Sequence, residues 1–186
     1  MKKLILTNIF VSLITFSFAQ KEIAGVTIPT KVKFNEKTLA LNGAGIREKF
    51  WIDLYVGGLY TEQKYSNAAS VMNDDKVMAI KLHIISSMIT TKKMVDAVDE
   101  GFKKSMKGKQ AELKEEIEKF KAIFTPEIKE NDIYDLVYIP SKGTVVYKNN
   151  KPSITIKGLK FKQALFGIWF CNESADDDLR DQMLGK

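Results

Sequence analysis

The stretch from residue 39 to residue 62 constrains the fold most, because it joins strand-forming residues to closely spaced glycines. A short apolar run over residues 39–41 leads into the segment NGAG, residues 42–45, whose two glycines permit a turn or a close backbone approach. Arg47 then lies in a short connection. Residues 50–60 are rich in aromatic and β-branched side chains and are typical of a long strand. The pattern predicts a β-hairpin with an arginine on its turn.

Two interpretations of this hairpin are open. In the first, Arg47 is only a turn residue. In the second, the edge of a sheet presents a fixed cation to an anionic or carbonyl-bearing ligand. Gly57 and Gly58 lie inside the second strand, where glycine indicates either a bulge or a closely packed neighbour.

The N-terminal segment, residues 1–19, has the pattern of a secretory signal peptide. Lys2 and Lys3 precede an uncharged apolar run over residues 4–18, and small residues stand before a cleavage position at Gln20. The run is too short for a stable membrane span. We therefore predict a periplasmic or secreted protein that has one domain, residues 20–186, and no transmembrane segment in its mature chain.

N-terminal sequencing of the exported protein is expected to begin at or near Gln20, because the segment before it has the charge and apolar pattern that signal peptidases process. An intact N-terminus retained in the cytoplasm would contradict this assignment.

Composition and charge exclude several classes of protein. Hydrophobic residues make up 45% and charged residues 28% of the 186-residue chain, which is typical of globular domains and not of disorder. Loss of residues 1–19 lowers the formal net charge of +6 by two, and the remaining basic residues alternate with acids, as in residues 114–121. Nucleic-acid binding is therefore not expected. The single cysteine, Cys171, cannot form an internal disulfide.

The periodicity of the apolar residues predicts one α+β domain in which an antiparallel sheet has helices packed on one face. Alternation over residues 77–85 predicts a half-buried strand with Lys81 and His83 on its polar face. Other strands are predicted at residues 22–27, 31–35, 133–139, 144–148 and 153–156, and helices at residues 67–72, 91–106, 110–124, 161–170 and 177–184.

Metal and cofactor chemistry have no support in this sequence. Zinc sites need several histidine or cysteine ligands, and this chain has one of each, far apart. A serine or cysteine nucleophile would have to use His83, which is predicted to be exposed. The segment GAG at residues 43–45 lacks the rest of a dinucleotide-binding fingerprint. We expect no metal, no cofactor and no catalytic residue.

Arg47 and nearby tyrosines are the candidate ligand-binding residues. In a regular strand Asp53 and Tyr55 share one face, and Arg47 has the same parity, so Arg47 and Tyr55 can approach one ligand. Tyr60 is the third candidate, since a bulge at residues 57–58 would change the face on which it lies. A guanidinium fork and a phenol both donate hydrogen bonds and suit a carboxylate.

Two segments, NGAGIREKFWIDLYVGGLYTE and GLKFKQALFGIWFCNESADDDLRDQMLG, resemble the chalcone isomerase fold family, most closely its exported bacterial chalcone isomerase-like members. The resemblance covers nearly all of residues 20–186. It implies an open-faced β-sandwich: a large antiparallel sheet with a helical layer on one face and a ligand cleft between them.

The resemblance also implies roles for Arg47 and Tyr55. Arg47 matches the arginine with which plant chalcone isomerases polarise their substrate. The fatty-acid-binding branch has the same arginine and a tyrosine, both on the ligand carboxylate, and Tyr55 is the best match to that tyrosine. The true isomerases have threonine at the position of Tyr55, their other active-site residues have no match here, and Cys171 replaces the glycine usual in bacterial relatives.

The sequence therefore predicts non-catalytic binding of a small apolar carboxylate, such as a fatty acid. Arg47 would anchor the carboxylate, Tyr55 would donate a second hydrogen bond, and helices between residues 94 and 124 would line the site for the tail. One alternative is an intramolecular lyase or isomerase of the chalcone isomerase type. Another is an interaction protein in which the cleft is core and Arg47 forms a structural ion pair.

Overall fold

One seven-stranded antiparallel sheet organises the chain in the computed structural model, which describes residues 20–34 and 36–186. The predicted signal peptide, residues 1–19, lies outside the described residues. The strands are β1 (Gln20–Ile23), β2 (Val26–Pro29), β3 (Lys31–Phe34), β4 (Lys37–Lys49), β5 (Ile52–Thr61), β6 (Met78–Ile84), β7 (Ile133–Ile139), β8 (Gly143–Lys148) and β9 (Lys151–Ile156). Strands β3 to β9 follow each other in the large sheet in chain order, and β1 and β2 pair separately.

The helices form a layer on one face of this sheet. They are α1 (Ala68–Asn73), α2 (Thr91–Ser105), α3 (Lys114–Lys121), α4 (Leu159–Phe170) and α5 (Asp177–Met183), and single 3-10 turns precede and follow α3. The apolar stripes of α2 and α3 turn inward, so that Phe102 and Phe120 are buried in the core between the layers. None of the helices in the described part combines the length and apolar character that a membrane crossing requires.

Helix α4 is buried on nearly all sides, as expected of a helix that is apolar all round. It nevertheless carries Lys162, whose side chain is fully buried. The Lys162 ammonium donates hydrogen bonds of 2.6 Å to Val71 O and 2.9 Å to Met72 O at the end of α1. Cations stabilise helix C-termini in this way. Burial lowers the pKa of Lys162 to about 8.

The other face of the sheet is covered by the β1–β2 hairpin, whose Val26 and Ile28 pack against Val56 and Tyr60. The single strand predicted over residues 22–27 is wrong, because Ala24 and Gly25 have positive φ and turn the chain between β1 and β2.

The polar face predicted for β6 is only partly solvated. Lys81 lies opposite Asp135 in the register of β6 and β7, and its ammonium forms a 2.6 Å ion pair with that carboxylate. The pair is largely buried, with 11% of the Lys81 and 2% of the Asp135 side chain exposed. The face of the sheet under the β1–β2 hairpin therefore contains two opposite charges, those of Lys81 and Asp135, that compensate each other.

The predicted β-hairpin forms, but the placement of Arg47 on its turn is wrong, because strand β4 runs without interruption from Lys37 to Lys49 and includes Arg47. The chain turns instead at Phe50 and Trp51, which have φ of 53° and 65°. Gly43 serves a close approach: a Cβ atom there would overlap the main-chain carbonyl of Gln182 in helix α5.

Of the two interpretations of Gly57 and Gly58, the bulge is wrong, because β5 pairs with β6 in continuous register through both glycines. Close packing explains Gly57, where an added Cβ would lie 3.2 Å from Leu179 Cδ1 of helix α5. The register between β4 and β5 shifts elsewhere, at Asn42 and at Leu54. Tyr55 and Tyr60 consequently lie on opposite faces of the sheet.

The Phe50-Trp51 turn is expected to cost stability. Non-glycine residues with positive φ cost on the order of 1 kcal/mol each, and Asn-Gly is the preferred pair in two-residue hairpin turns. The double substitution Phe50→Asn with Trp51→Gly should therefore raise the free energy of unfolding by about 1–2 kcal/mol, measured by urea denaturation.

Asn150 provides a matched control, because it has φ of 63° in the β8–β9 turn. Asn150→Trp should lower the denaturation midpoint, since it introduces there the strain that the other variant removes. A lower midpoint in the Phe50→Asn, Trp51→Gly protein would contradict this explanation.

Candidate functional site

A cavity of about 610 Å³ lies between the sheet and helices α2, α3 and α4. Its walls are mostly apolar side chains from both layers: Ile52, Leu54, Leu82, Ile89, Met94, Val98, Phe120, Phe124 and Ile168. The predicted contribution of the helices between residues 94 and 124 is therefore present. The polar side chains of Arg47, Tyr55 and Trp169 also line the cavity, and charged side chains of Lys49, Lys93, Asp96, Glu100 and Lys104 contribute to its lining.

Strands β4 and β5 bring Arg47 and Tyr55 together. The two residues are directly opposite in the antiparallel register, and side chains at such positions project from the same face. The register shift at Leu54 also explains why Ile52, Leu54 and Tyr55 all line the cavity, since a bulge places neighbouring residues on one face. Asp53, predicted to share the face of Tyr55, is exposed and does not line the cavity.

Tyr55 is oriented by Trp169 of helix α4. The Trp169 indole Nε1–H donates a 3.0 Å hydrogen bond to the Tyr55 hydroxyl oxygen, and both side chains are buried. Among the described residues no acceptor receives the hydroxyl proton of Tyr55, so this donor remains for a molecule in the cavity. Burial raises the pKa of Tyr55, which keeps the phenol protonated at neutral pH.

Arg47 forms an ion pair with Asp176. Its Nη1 donates 2.8 Å to Asp176 Oδ2 and 3.1 Å to Glu48 O, and 18% of the Arg47 and 12% of the Asp176 side chain is exposed. The other carboxylate oxygen of Asp176 accepts a 2.8 Å hydrogen bond from Leu179 N and caps helix α5. Within the described part of the chain, Nη2 and Nε of Arg47 have no hydrogen-bond acceptor.

The structure does not bring Tyr60 to this site. Tyr60 lies on the opposite face of the sheet, is fully buried, and donates a 2.9 Å hydrogen bond to Pro29 O of the β1–β2 hairpin. Burial raises its pKa. Its observed contacts are those of a residue that holds the hairpin against the sheet.

Sequence reasoning missed Trp169 and the partner of Arg47. A buried tryptophan needs an acceptor for its N–H, and the apolar segment around Trp169 was a signal that it has one. Asp176 precedes the helix predicted at residues 177–184, where an aspartate is an ordinary N-cap, and it does cap α5. Its ion pair with Arg47 depends on the position of α5 against β4 and has no local signal in the sequence.

The fold and site define an open-faced β-sandwich with a mostly apolar cavity, at whose wall a partly buried arginine lies beside a buried tyrosine. The sequence matches the chalcone isomerase-like family over residues 20–185, and the chain belongs to this family. The predicted family and fold are thereby confirmed. Among curated protein sequences none matches this chain.

A solved structure similar to this chain is the crystal structure of a fatty-acid binding protein from Arabidopsis thaliana. The two have 19% sequence identity and a TM-score of 0.70, over 89% of this chain and 96% of the plant protein. At this level of identity the similarity shows a shared fold.

The Arg47–Asp176 ion pair should contribute measurably to stability, because both side chains are mostly withdrawn from water. We expect Arg47→Ala and Asp176→Asn each to lower the free energy of unfolding by about 1–2 kcal/mol, with a coupling of about 1 kcal/mol in the double variant. Asparagine preserves the helix cap, so Asp176→Asn removes mainly the charge. Urea denaturation of the unmodified protein, the two single variants and the double variant measures the coupling energy.

The exposed pair Lys92–Asp96, which has a 2.6 Å separation and side chains 85% and 60% exposed, is the matched control. Its coupling should be only a few tenths of a kcal/mol, about 0.3–0.5 at this helical spacing. Equal coupling energies for the Arg47–Asp176 and Lys92–Asp96 pairs would contradict a larger contribution of the partly buried pair to stability.

Proposed function

We propose that this protein binds a small apolar molecule that bears a carboxylate, such as a fatty acid, and does not transform it chemically. The observation that carries the proposal is the pairing of Arg47 and Tyr55 across β4 and β5, at the wall of a mostly apolar cavity. Cavities of several hundred Å³ with few polar groups are typical of sites for small ligands.

The unused donors of both residues suit a carboxylate. Nη2 and Nε of Arg47 are two donor nitrogens, and the protonated phenol of Tyr55 provides a third donor group, whose oxygen accepts a hydrogen bond from Trp169. Charge-assisted bonds of this kind are the stronger ones in proteins. The chain of the ligand would lie against apolar side chains such as Val98, Phe120 and Phe124.

Asp176 acts in this proposal as the counter-ion of Arg47 before a ligand binds. An arginine without a partner beside an apolar cavity would carry a large desolvation cost, and the 2.8 Å contact with Asp176 offsets part of that cost. A ligand carboxylate then shares the guanidinium with Asp176 or displaces it. The affinity for the ligand is accordingly lower than that of an uncompensated arginine.

The comparison with known proteins supports binding over catalysis, since the similar plant structure is named as a fatty-acid binding protein. The chemistry of the isomerase reaction also favours binding over catalysis. Ring closure of a chalcone needs an oxyanion nucleophile, a polarised enone and ordered water held together, and Arg47 is the one group of this set matched in the sequence. The carboxylate of Asp176 further weakens Arg47 as a polarising group.

The proposal includes the cell envelope or the extracellular space as the site of action. Its support is the charge and apolar pattern of residues 1–19. An exported carrier of an apolar carboxylate would meet its ligand outside the cytoplasm.

Removal of Arg47 or Tyr55 should weaken ligand binding unequally. We expect Arg47→Ala to weaken binding of a long-chain fatty acid by roughly 2–5 kcal/mol, the range for truncating one member of a buried charge pair. Tyr55→Phe deletes one hydrogen bond to a charged group, which corresponds to roughly 1.5–3 kcal/mol. The measurement is calorimetric titration of the fatty acid into the delipidated mature protein.

Two further variants distinguish the interpretations. Tyr60→Phe should leave affinity unchanged, because Tyr60 lies on the other face of the sheet. Asp176→Asn should tighten binding by about 1 kcal/mol, since a competing negative charge is lost while the helix cap remains. Unchanged affinity in Arg47→Ala, with lost thermal stability, would make Arg47 a structural residue. Stereospecific flavanone formed from chalcone well above the buffer rate would favour an isomerase.

A further inference from the structure

The large apolar side chains exposed in the described part of the chain lie together at the open side of the cavity. They are Phe50, Trp51 and Met88, which are 82%, 94% and 47% exposed. Phe50 and Met88 line the cavity, and Trp51 follows Phe50 in the β4–β5 turn. We call Phe50 and Trp51 the aromatic tip.

The fold itself does not account for the aromatic tip. Both residues have positive φ, a conformation that bulky side chains adopt only with strain. Their rings are almost fully exposed, so they gain little from packing in the monomer. The β8–β9 turn of the same sheet meets the same requirement with Asn149 and Asn150. A functional contact with something outside the chain explains why aromatic residues occupy the β4–β5 turn.

Two lysines that line the cavity, Lys49 beside the aromatic tip and Lys93 beside Met88, form no ion pair with a carboxylate of the described residues. The Lys49 ammonium lies 5.6 Å from the centre of the Phe50 ring, and the Lys93 ammonium donates a 3.2 Å hydrogen bond to Met88 O. The acids of the same rim are already paired: Asp96 with Lys92, and Glu100 with Lys104.

The exposed acids of the hairpin, Glu48 and Asp53, face each other in the β4–β5 register and do not line the cavity. The cavity lining therefore includes the Phe50 ring and two ammonium groups that form no ion pair with a described carboxylate. Glu100, whose pKa is lowered chiefly by its hydrogen bond to Lys104, also feels the charge of Lys49 from a distance. Phosphate groups above an apolar layer have the complementary arrangement.

We propose that the aromatic tip docks this protein on a phospholipid bilayer. The rings of Phe50 and Trp51 enter the interfacial region, where amphipathic aromatic side chains are favoured, and Lys49 and Lys93 extend to the lipid phosphates. The open side of the cavity then faces the bilayer, and an apolar ligand passes between membrane and cavity without crossing water. The docking goes beyond the proposed function, because it requires no ligand carboxylate.

A bilayer fits the tip better than a folded partner does. Stable protein interfaces bury on the order of 1,200–2,000 Å² in well-packed contact, which a two-residue turn supplies only in small part. A fluid lipid interface closes around a projecting turn without a preformed pocket. Association of two copies through the tips is the rival that the experiment must exclude.

The test uses the ligand-free mature protein with vesicles of phosphatidylcholine alone and of phosphatidylcholine mixed equally with phosphatidylglycerol. Co-flotation measures binding, and tryptophan emission reports the tip, because Trp51 is exposed whereas Trp169 is only 5% exposed. We expect binding with a blue shift of emission. Phe50→Ala and Trp51→Ala should each lower the partition coefficient roughly tenfold, the effect of losing one buried ring.

The lysines should matter most on membranes with a net negative charge. Lys49→Ala with Lys93→Ala is expected to weaken binding to the phosphatidylglycerol vesicles more than binding to pure phosphatidylcholine, whose phosphates are balanced by choline groups. The exposed lysines Lys119 and Lys151 lie elsewhere on the surface, and their joint substitution by alanine is the matched control that should have little effect.

The variant Phe50→Asn with Trp51→Gly separates docking from folding, since it should be the more stable protein and yet lose vesicle binding. Arg47→Ala should retain vesicle binding. The vesicle experiment therefore tests docking through the aromatic tip independently of whether Arg47 binds a ligand carboxylate. Vesicle binding that survives in the Asn-Gly variant, or no vesicle binding at all, would overturn the proposal. Self-association in sedimentation velocity that disappears in this variant would instead assign the tip to a contact between copies.

Discussion

The close approach of helix α5 to strand β4 is the constraint on which the site depends. Gly43 leaves room for the backbone of α5, and a side chain there would overlap Gln182. Asn42, buried beside it, donates hydrogen bonds of 2.8 Å to both Tyr65 O and Met183 O, and so ties the strand, the following loop and the helix together. The start of α5 is thereby held where Asp176 meets Arg47.

A positive charge can lie at an apolar cavity only if that charge is compensated. Asp176 compensates Arg47 from helix α5, and Trp169 of helix α4 satisfies the oxygen of Tyr55. Arg47 and Tyr55 each still have a hydrogen-bond donor without an acceptor among the described residues. The site is thus stable without an occupant, because no buried charge is left unpaired, while its remaining hydrogen-bond capacity suits an acceptor that arrives with a ligand.

The elements with clear periodicity were predictable, and those governed by distant contacts were not. Strand β7 and helices α2 and α4 followed from alternation or an apolar stripe, since burial of one face determines them locally. The placement of Arg47 on a turn was wrong because β4 continues to Lys49, and the close approach that Gly43 permits is to a helix almost 140 residues later in the chain. The face of Tyr55 relative to Asp53 was wrong because Leu54 is an extra residue in the register of β4 and β5.

The sequence by itself determined the fold class and the family, since both follow from local periodicity and from segments that resemble known proteins. It also identified Arg47 and Tyr55, which the structure brings together on adjacent strands. Tertiary structure decided the counter-ion of Arg47, the orientation of Tyr55 by Trp169, and the position of Tyr60 on the opposite face. The physical reason is that these features depend on register and on the packing of helices against the sheet, and a one-residue shift in register reverses the face of every side chain that follows.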